Sequence, residues 1–142
     1  MSEREQFDAM VEDFARAVGR TFERDGDGLW TIMAGGVPVH GVYEEKTGLV
    51  VTFVRIGEMM TEQYSETWAR GLLEAHAFWG ESRGFTFALD PETGSLVVHD
   101  RRPLSYFPTA EHLAGYVNGL VELVGETVRQ LTDLEDAMET EA

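Results

Sequence analysis

The 142-residue sequence contains no cysteine and a single lysine, Lys46. Without thiols, a disulfide scaffold, thiol catalysis, an iron–sulfur cluster and cysteine-ligated zinc are excluded. The same absence is compatible with a reducing compartment. Positive charge is scarce altogether: 11 Lys plus Arg stand against 26 Asp plus Glu, a formal net charge of −15. Nucleic-acid binders gain affinity by neutralising phosphates with Lys and Arg, and anionic lipid surfaces attract the same cations. A chain this acidic repels both. Long apolar runs are also missing, and none approaches the about 20 residues that span a bilayer. The opening Met1-Ser2-Glu3-Arg4-Glu5-Gln6 is polar and carries no apolar signal segment, so the expected setting is the cytoplasm.

What is present suits an ordinary globular core, with 43% hydrophobic residues and 11% aromatic ones. One domain over residues 1–132 is expected, followed by an acidic tail, 133–142, that frays into solvent. Phe7, Met10, Val11, Phe14, Ala17 and Val18 recur at helical spacing, and this first helix is expected to end near Phe22. Arg24-Asp25-Gly26-Asp27-Gly28 is turn chemistry. Three strands follow over 29–33, 37–43 and 49–54, separated by Ala34-Gly35-Gly36 and by Glu44-Glu45-Lys46-Thr47-Gly48. Turns this short return a chain only to antiparallel pairing. Thr61 reads as the cap of a second helix carrying Tyr64, Trp68, Leu72, Ala75 and Trp79, with Gly80 and Gly84 as its stop. Two more strands, 85–89 and 96–99, flank the turn Asp90-Pro91-Glu92-Thr93-Gly94, and a last helix begins after Thr109. The order α-β-β-β-α-β-β-α places the chain in the α+β class, an antiparallel sheet packed with helices.

Motifs that would carry catalysis or metal binding do not assemble. Asp25-Gly26-Asp27-Gly28 resembles the start of a calcium loop, but the twelfth position from Asp25 is Gly36, which has no carboxylate. His40, His76, His99 and His112 lack ligand spacing, and no Gly-x-Ser-x-Gly elbow, phosphate loop or dinucleotide fingerprint is present. Glu44 and Glu45 sit in a turn where nothing separates their acidities for proton transfer. No catalytic residue, metal ligand or cofactor is assigned.

The remaining signal is an apolar surplus. Trp30 and Ile32 share one face of their strand, while Leu49, Val51 and Phe53 oppose Val50, Thr52 and Val54 on theirs. Three helices cannot cover both faces of a five-stranded sheet, which leaves apolar surface for a partner. A strongly acidic, non-catalytic domain of this size reads as a protein-binding module.

In that light the sequence resembles the class I type III secretion chaperones, the Tir-chaperone family, over about residues 5–132. The residues that carry the likeness are Leu72-Leu73-Glu74-Ala75-His76 and Leu89-Asp90-Pro91-Glu92-Thr93-Gly94, within the element order above and ahead of the Pro103-Leu104 loop. Adjacent Met59 and Met60, the acidic tail and His76, where the family often has Asn, depart from the pattern. The resemblance implies a cytoplasmic homodimer that binds an extended N-terminal segment of a secreted effector without ATP. It implies a dimer interface at Trp68, Leu72, Leu73, Phe87 and Leu89. It also implies partner-binding patches at Phe7, Met10, Phe14, Trp30, Ile32, Val39, Val51 and Phe53. The alternatives are a regulatory protein-interaction domain of the same fold with no export role, and a small-molecule binder or an unrecognised hydrolase using the same apolar cleft.

Overall fold

A computed structural model describes residues 1–56, 65–77 and 83–141. Helix α1 (Glu3–Ala17) is followed by strands β1 (Phe22–Arg24), β2 (Trp30–Ala34), β3 (Val37–Glu44) and β4 (Leu49–Arg55). Helix α2 (Ser65–His76), strands β5 (Thr86–Leu89) and β6 (Leu96–Pro103), a 3-10 turn (Leu104–Tyr106) and helix α3 (Ala110–Glu141) complete the chain. The strands form a six-stranded antiparallel sheet in the order β1-β2-β3-β4-β6-β5. The expected α+β order holds, with one strand more than the sequence announced. β1 occupies the stretch read as the end of the first helix and its turn. Helix α1 stops at Ala17, with Gly19 at φ +67 just beyond it, and Phe22 to Arg24 pair with Ile32 to Trp30. Thr61, Tyr64, Phe78, Trp79, Gly80 and the Met59-Met60 pair lie outside the described residues.

Local chemistry accounts for the element boundaries. Ser2 caps α1, its Oγ accepting the Glu5 amide at 3.2 Å while the Glu5 carboxylate accepts the Ser2 amide at 3.5 Å. The β2–β3 hairpin closes Ala34 on Val37 through Gly35 and Gly36, whose φ of +58 and +78 suit the two-residue turn that matches strand twist. The Asp25 carboxylate accepts the Asp27 and Leu29 amides at 2.8 and 3.0 Å, which is what that acidic turn does with its side chain. Thr109 caps α3 through the His112 amide at 3.3 Å. Helix α3 continues through the acidic segment expected to fray, with Leu134 and Met138 extending the stripe that ends in buried Leu131.

The chain divides into two compact units, residues 1–54 with 100–121 and residues 55–99 with 122–142. In the first, Phe7, Val11, Phe14 and Ala15 of α1 bury with Trp30, Ile32, Val39 and Val50, and with Leu113, Val117 and Leu120 of α3. The Phe7 ring lies 6.3 Å from Trp30 and 6.4 Å from Tyr43. Each such side chain removed from water contributes about 1.5–3 kcal/mol. Around this contact Arg4 pairs with Glu45 at 3.2 Å and Arg24 with Asp8 at 3.4 Å. In the second unit, Ile56, Trp68, Leu72, Phe85, Val98, Leu123, Val124 and Leu131 form the core. Leu131 and Leu134 of α3 close on Gly71 of α2, and the Arg83 guanidinium holds Glu126 of α3 at 2.8 and 2.9 Å.

Candidate protein-binding surfaces

Strand pairing in the first unit sorts the meander into two faces of different character. One carries Trp30, Ile32, Val39, Gly41, Val50, Thr52 and Val54, all buried. The other carries Thr31, Met33, Pro38, His40, Val42, Val51 and Phe53, none of which is buried. Register places Thr31, His40 and Phe53 in one row across β2, β3 and β4, and Val42 beside Val51 in the next. Thr31 Oγ1 and His40 Nδ1 share a hydrogen bond of 2.8 Å, and the imidazole stacks on Phe53 with centroids 5.0 Å apart. Met33, 48% exposed, lies beyond them near the hairpin. This face is an apolar, half-wet sheet surface with the Thr31–His40 pair at its centre.

Of the side chains that the resemblance gave to a partner, Phe7, Phe14, Trp30, Ile32 and Val39 are therefore core of this unit, not surface. The helices lie over the even-numbered face of β2 and the odd-numbered face of β3, and those residues fill the space between. Met10 on α1 is half-buried, and only Val51 and Phe53 belong to the outer sheet face. Met33 and Val42 join them there, residues that sequence reasoning did not single out. Alternation along each strand was the available signal, because Met33 and Val42 keep the parity of Thr31 and His40.

At the hairpin end, a cleft of about 220 Å³ opens between Val18, Met33 and Asn118, and the Arg20 guanidinium beside it donates to the Met33 carbonyl. At the far end of the unit, the Asp100 carboxylate accepts from Arg102 Nε and from the Tyr116 hydroxyl, each at 2.8 Å. Burial pushes the Tyr116 phenol far above its ordinary acidity range, and the adjacent Asp100 charge adds to the effect. Arg102 also lies over the Tyr106 ring at 4.8 Å, so this corner is a rigid staple between β6 and α3.

The second unit has an apolar groove of about 200 Å³ between α2 and the β5–β6 hairpin. Leu72, Leu73 and His76 line it from the helix, with Phe87, Leu89 and Leu96 from the strands. Leu73 is 72% exposed and Leu89 61%, so two leucines stand open to water at its mouth. Four of the five residues expected at a dimer interface meet here, and the fifth, Trp68, lies in the core at 1% exposure. The adjoining turn is stiff: Asp90 accepts the Glu92 amide at 3.0 Å, and Asp90 N–H donates to Ser95 O at 2.8 Å. The amide of Glu92 is the main cause holding the Asp90 carboxyl below the ordinary range. A larger cleft of about 440 Å³ lies between α2 and α3, lined by Gly71, Ala75 and Leu134 and rimmed by Glu74 and Asp133.

Among the described residues, no three His, Asp or Glu side chains gather as a metal-binding group, and no helix is long and apolar enough to cross a membrane.

The family model described as the Tir chaperone protein (CesT) family matches residues 9–127. No curated protein sequence matches the chain. Among solved structures, that of the Yersinia pestis type III secretion chaperone SycH in complex with a stable fragment of YscM2 is similar at a TM-score of 0.62 and 18% identity, covering 89% of this chain and 99% of that one. The ExsC–ExsE complex is similar at a TM-score of 0.70 and 16% identity, covering 92% and 97%. The HopA1–SchA chaperone–effector complex is similar at 0.67 and 13%, covering 87% and 93%. At these identities the likeness is one of fold.

Proposed function

Because the chain belongs to the Tir chaperone protein (CesT) family, we propose that it is a non-enzymatic, homodimeric chaperone of the cytoplasm. It holds an extended segment of a secreted effector for type III export, without ATP. The family match across residues 9–127 carries this reading, and two surfaces give it physical content. An extended segment laid on the outer face of β2–β4 seats alternate side chains against Met33, Val42, Val51 and Phe53, since strand side chains repeat every second residue. At β1 or β5, the two edges of the sheet, it also gains main-chain hydrogen bonds by strand addition. The net charge of −15 keeps the chain soluble and draws basic segments toward it. The α2–β5 groove, with Leu73 and Leu89 at its mouth, is the seat of the second copy.

Isolation of the tagged chain from its own host under native conditions tests the reading. A stoichiometric protein companion on a dimer of this chain is the expected outcome, and a bare monomer contradicts it.

A further inference from the structure

Resting on the reading above that the partner is held in extended form, we infer that the hairpin-end cleft of the first unit selects an acidic residue of that partner segment, and that Arg20 is the specificity-determining contact. Buried Phe14 and Ile32 line the cleft together with exposed Val18 and Met33. Its volume of about 220 Å³ falls below the about 300–1,000 Å³ of a small-molecule site, so it suits one side chain of a longer ligand. Met33 belongs both to this cleft and to the outer face of β2–β4, so a segment crossing that face meets the cleft at its end.

The backbone places Arg20 there. Gly19, at φ +67, donates to the Arg16 carbonyl at 3.2 Å, and the Arg20 amide donates to the Ala15 carbonyl at 2.9 Å. These two bonds are the Schellman closure of a helix, with Arg20 as the second residue beyond the cap. Its side chain runs to β2, where Nη1 donates to the Met33 carbonyl. β1 begins only at Phe22, opposite Ile32, so no β1 residue lies across from Met33 and its carbonyl is left to the guanidinium. The arginine is thus held at both ends, with four of the five N–H donors of a guanidinium still to be used.

Charge identifies what those donors take. Arg4, Arg16 and Arg24 hold Glu45, Asp13 and Asp8 at 3.2, 3.1 and 3.4 Å. Arg20 lies between Arg16 and Arg24 in sequence, yet among the described residues it forms no ion pair, in a chain with 26 acids. The other lining residues carry no charge, so no carboxylate of the cleft competes for it. A planar guanidinium meets a carboxylate through two parallel hydrogen bonds. The element recognised is therefore an Asp or Glu beside an apolar residue, the apolar side chain against Phe14 and Ile32 and the carboxylate on Arg20. In a segment otherwise drawn by a negative chain, that one acid fixes the register in which the segment lies.

A phage-displayed library of random peptides, selected on the full chain as wild type and as Arg20→Gln, tests this. The wild type should enrich Asp or Glu at one position next to an apolar residue. Arg20→Gln, which keeps a donor for the Met33 carbonyl, should keep the apolar preference and lose the acidic one, while Arg20→Lys, still charged, should retain both. In anisotropy titrations, replacing the acid of a selected peptide by its amide should weaken wild-type binding about twofold to fivefold, as for an exposed ion pair, and leave binding to Arg20→Gln unchanged. Apolar peptides with no acidic position, or the same acidic position on Arg20→Gln, overturn this inference and leave extended binding standing. No peptide enriched on the wild type overturns both.

Discussion

The indole of Trp30 rests on the bare Cα of Gly41, its register partner across β2 and β3, so closely that a β-carbon at Gly41 would lie 2.3 Å from Cζ2 and 2.8 Å from Nε1. Trp30 is fully buried, so the ring has no room to yield. Gly41→Ala is therefore expected to cost about 1–3 kcal/mol by overpacking, and more if the ring is expelled. Urea unfolding followed by tryptophan fluorescence reads the shift in midpoint. An unchanged midpoint contradicts this packing.

The two faces of the meander should respond oppositely to the same chemistry. Trp30→Asp places a carboxylate in the core beside Phe7 and should unfold the chain, with losses of at least about 3–5 kcal/mol. Met33→Asp and Val51→Asp lie on the outer face and should cost about 1 kcal/mol or less each, since surface changes away from packed features are mild. Capture of the companion protein by these two variants should fall at least tenfold. Normal capture by both would remove the outer face as the binding surface.

Leu73→Glu and Leu89→Glu put charge at the mouth of the α2–β5 groove. Both side chains are more than half exposed, so thermal stability of the monomer should hold. The dimer should separate, because each copy then opposes a buried, unpaired carboxylate. Mass measured by light scattering decides between one copy and two.

Tyr116 supplies a pH dependence on the alkaline side. Its pKa is raised in the fold, chiefly by burial and then by Asp100. A group whose folded value is raised contributes stability that is complete below the unfolded value, about 10 for tyrosine, and is lost as pH climbs through the folded value. The wild type should thus lose stability above about pH 10, and Tyr116→Phe should lack that part of the loss. At neutral pH the same substitution removes a hydrogen bond to a charged partner and should cost about 1.5–3 kcal/mol. Denaturant midpoints along an alkaline series check both.

Element order and the main turns were legible because their chemistry is local. Gly35-Gly36, Asp90 through Gly94 and Thr109 act on neighbours within a few residues. β1 was not legible: Phe22 continues the apolar spacing of α1, and only pairing with Ile32, ten residues on, makes it a strand. Which face of β4 is core was not legible for a related reason. Leu49, Val51 and Phe53 are more apolar as a set than Val50, Thr52 and Val54, yet the second set is buried, Thr52 included. Which face becomes core depends on where α1 and α3 pack, and no strand encodes that by itself. The same non-local choice drew Phe7, Phe14 and Trp30 inward, whereas Leu73 and Leu89, which the family resemblance gave to an interface, stay open to water.

The central claim, that this chain holds a partner in extended form, is tested most directly by limited proteolysis of the companion, alone and in complex, with the fragments identified by mass spectrometry. The account predicts an N-terminal segment of the companion that is cut rapidly when free and protected when bound. A companion equally resistant in both states would be a folded partner, and would contradict it.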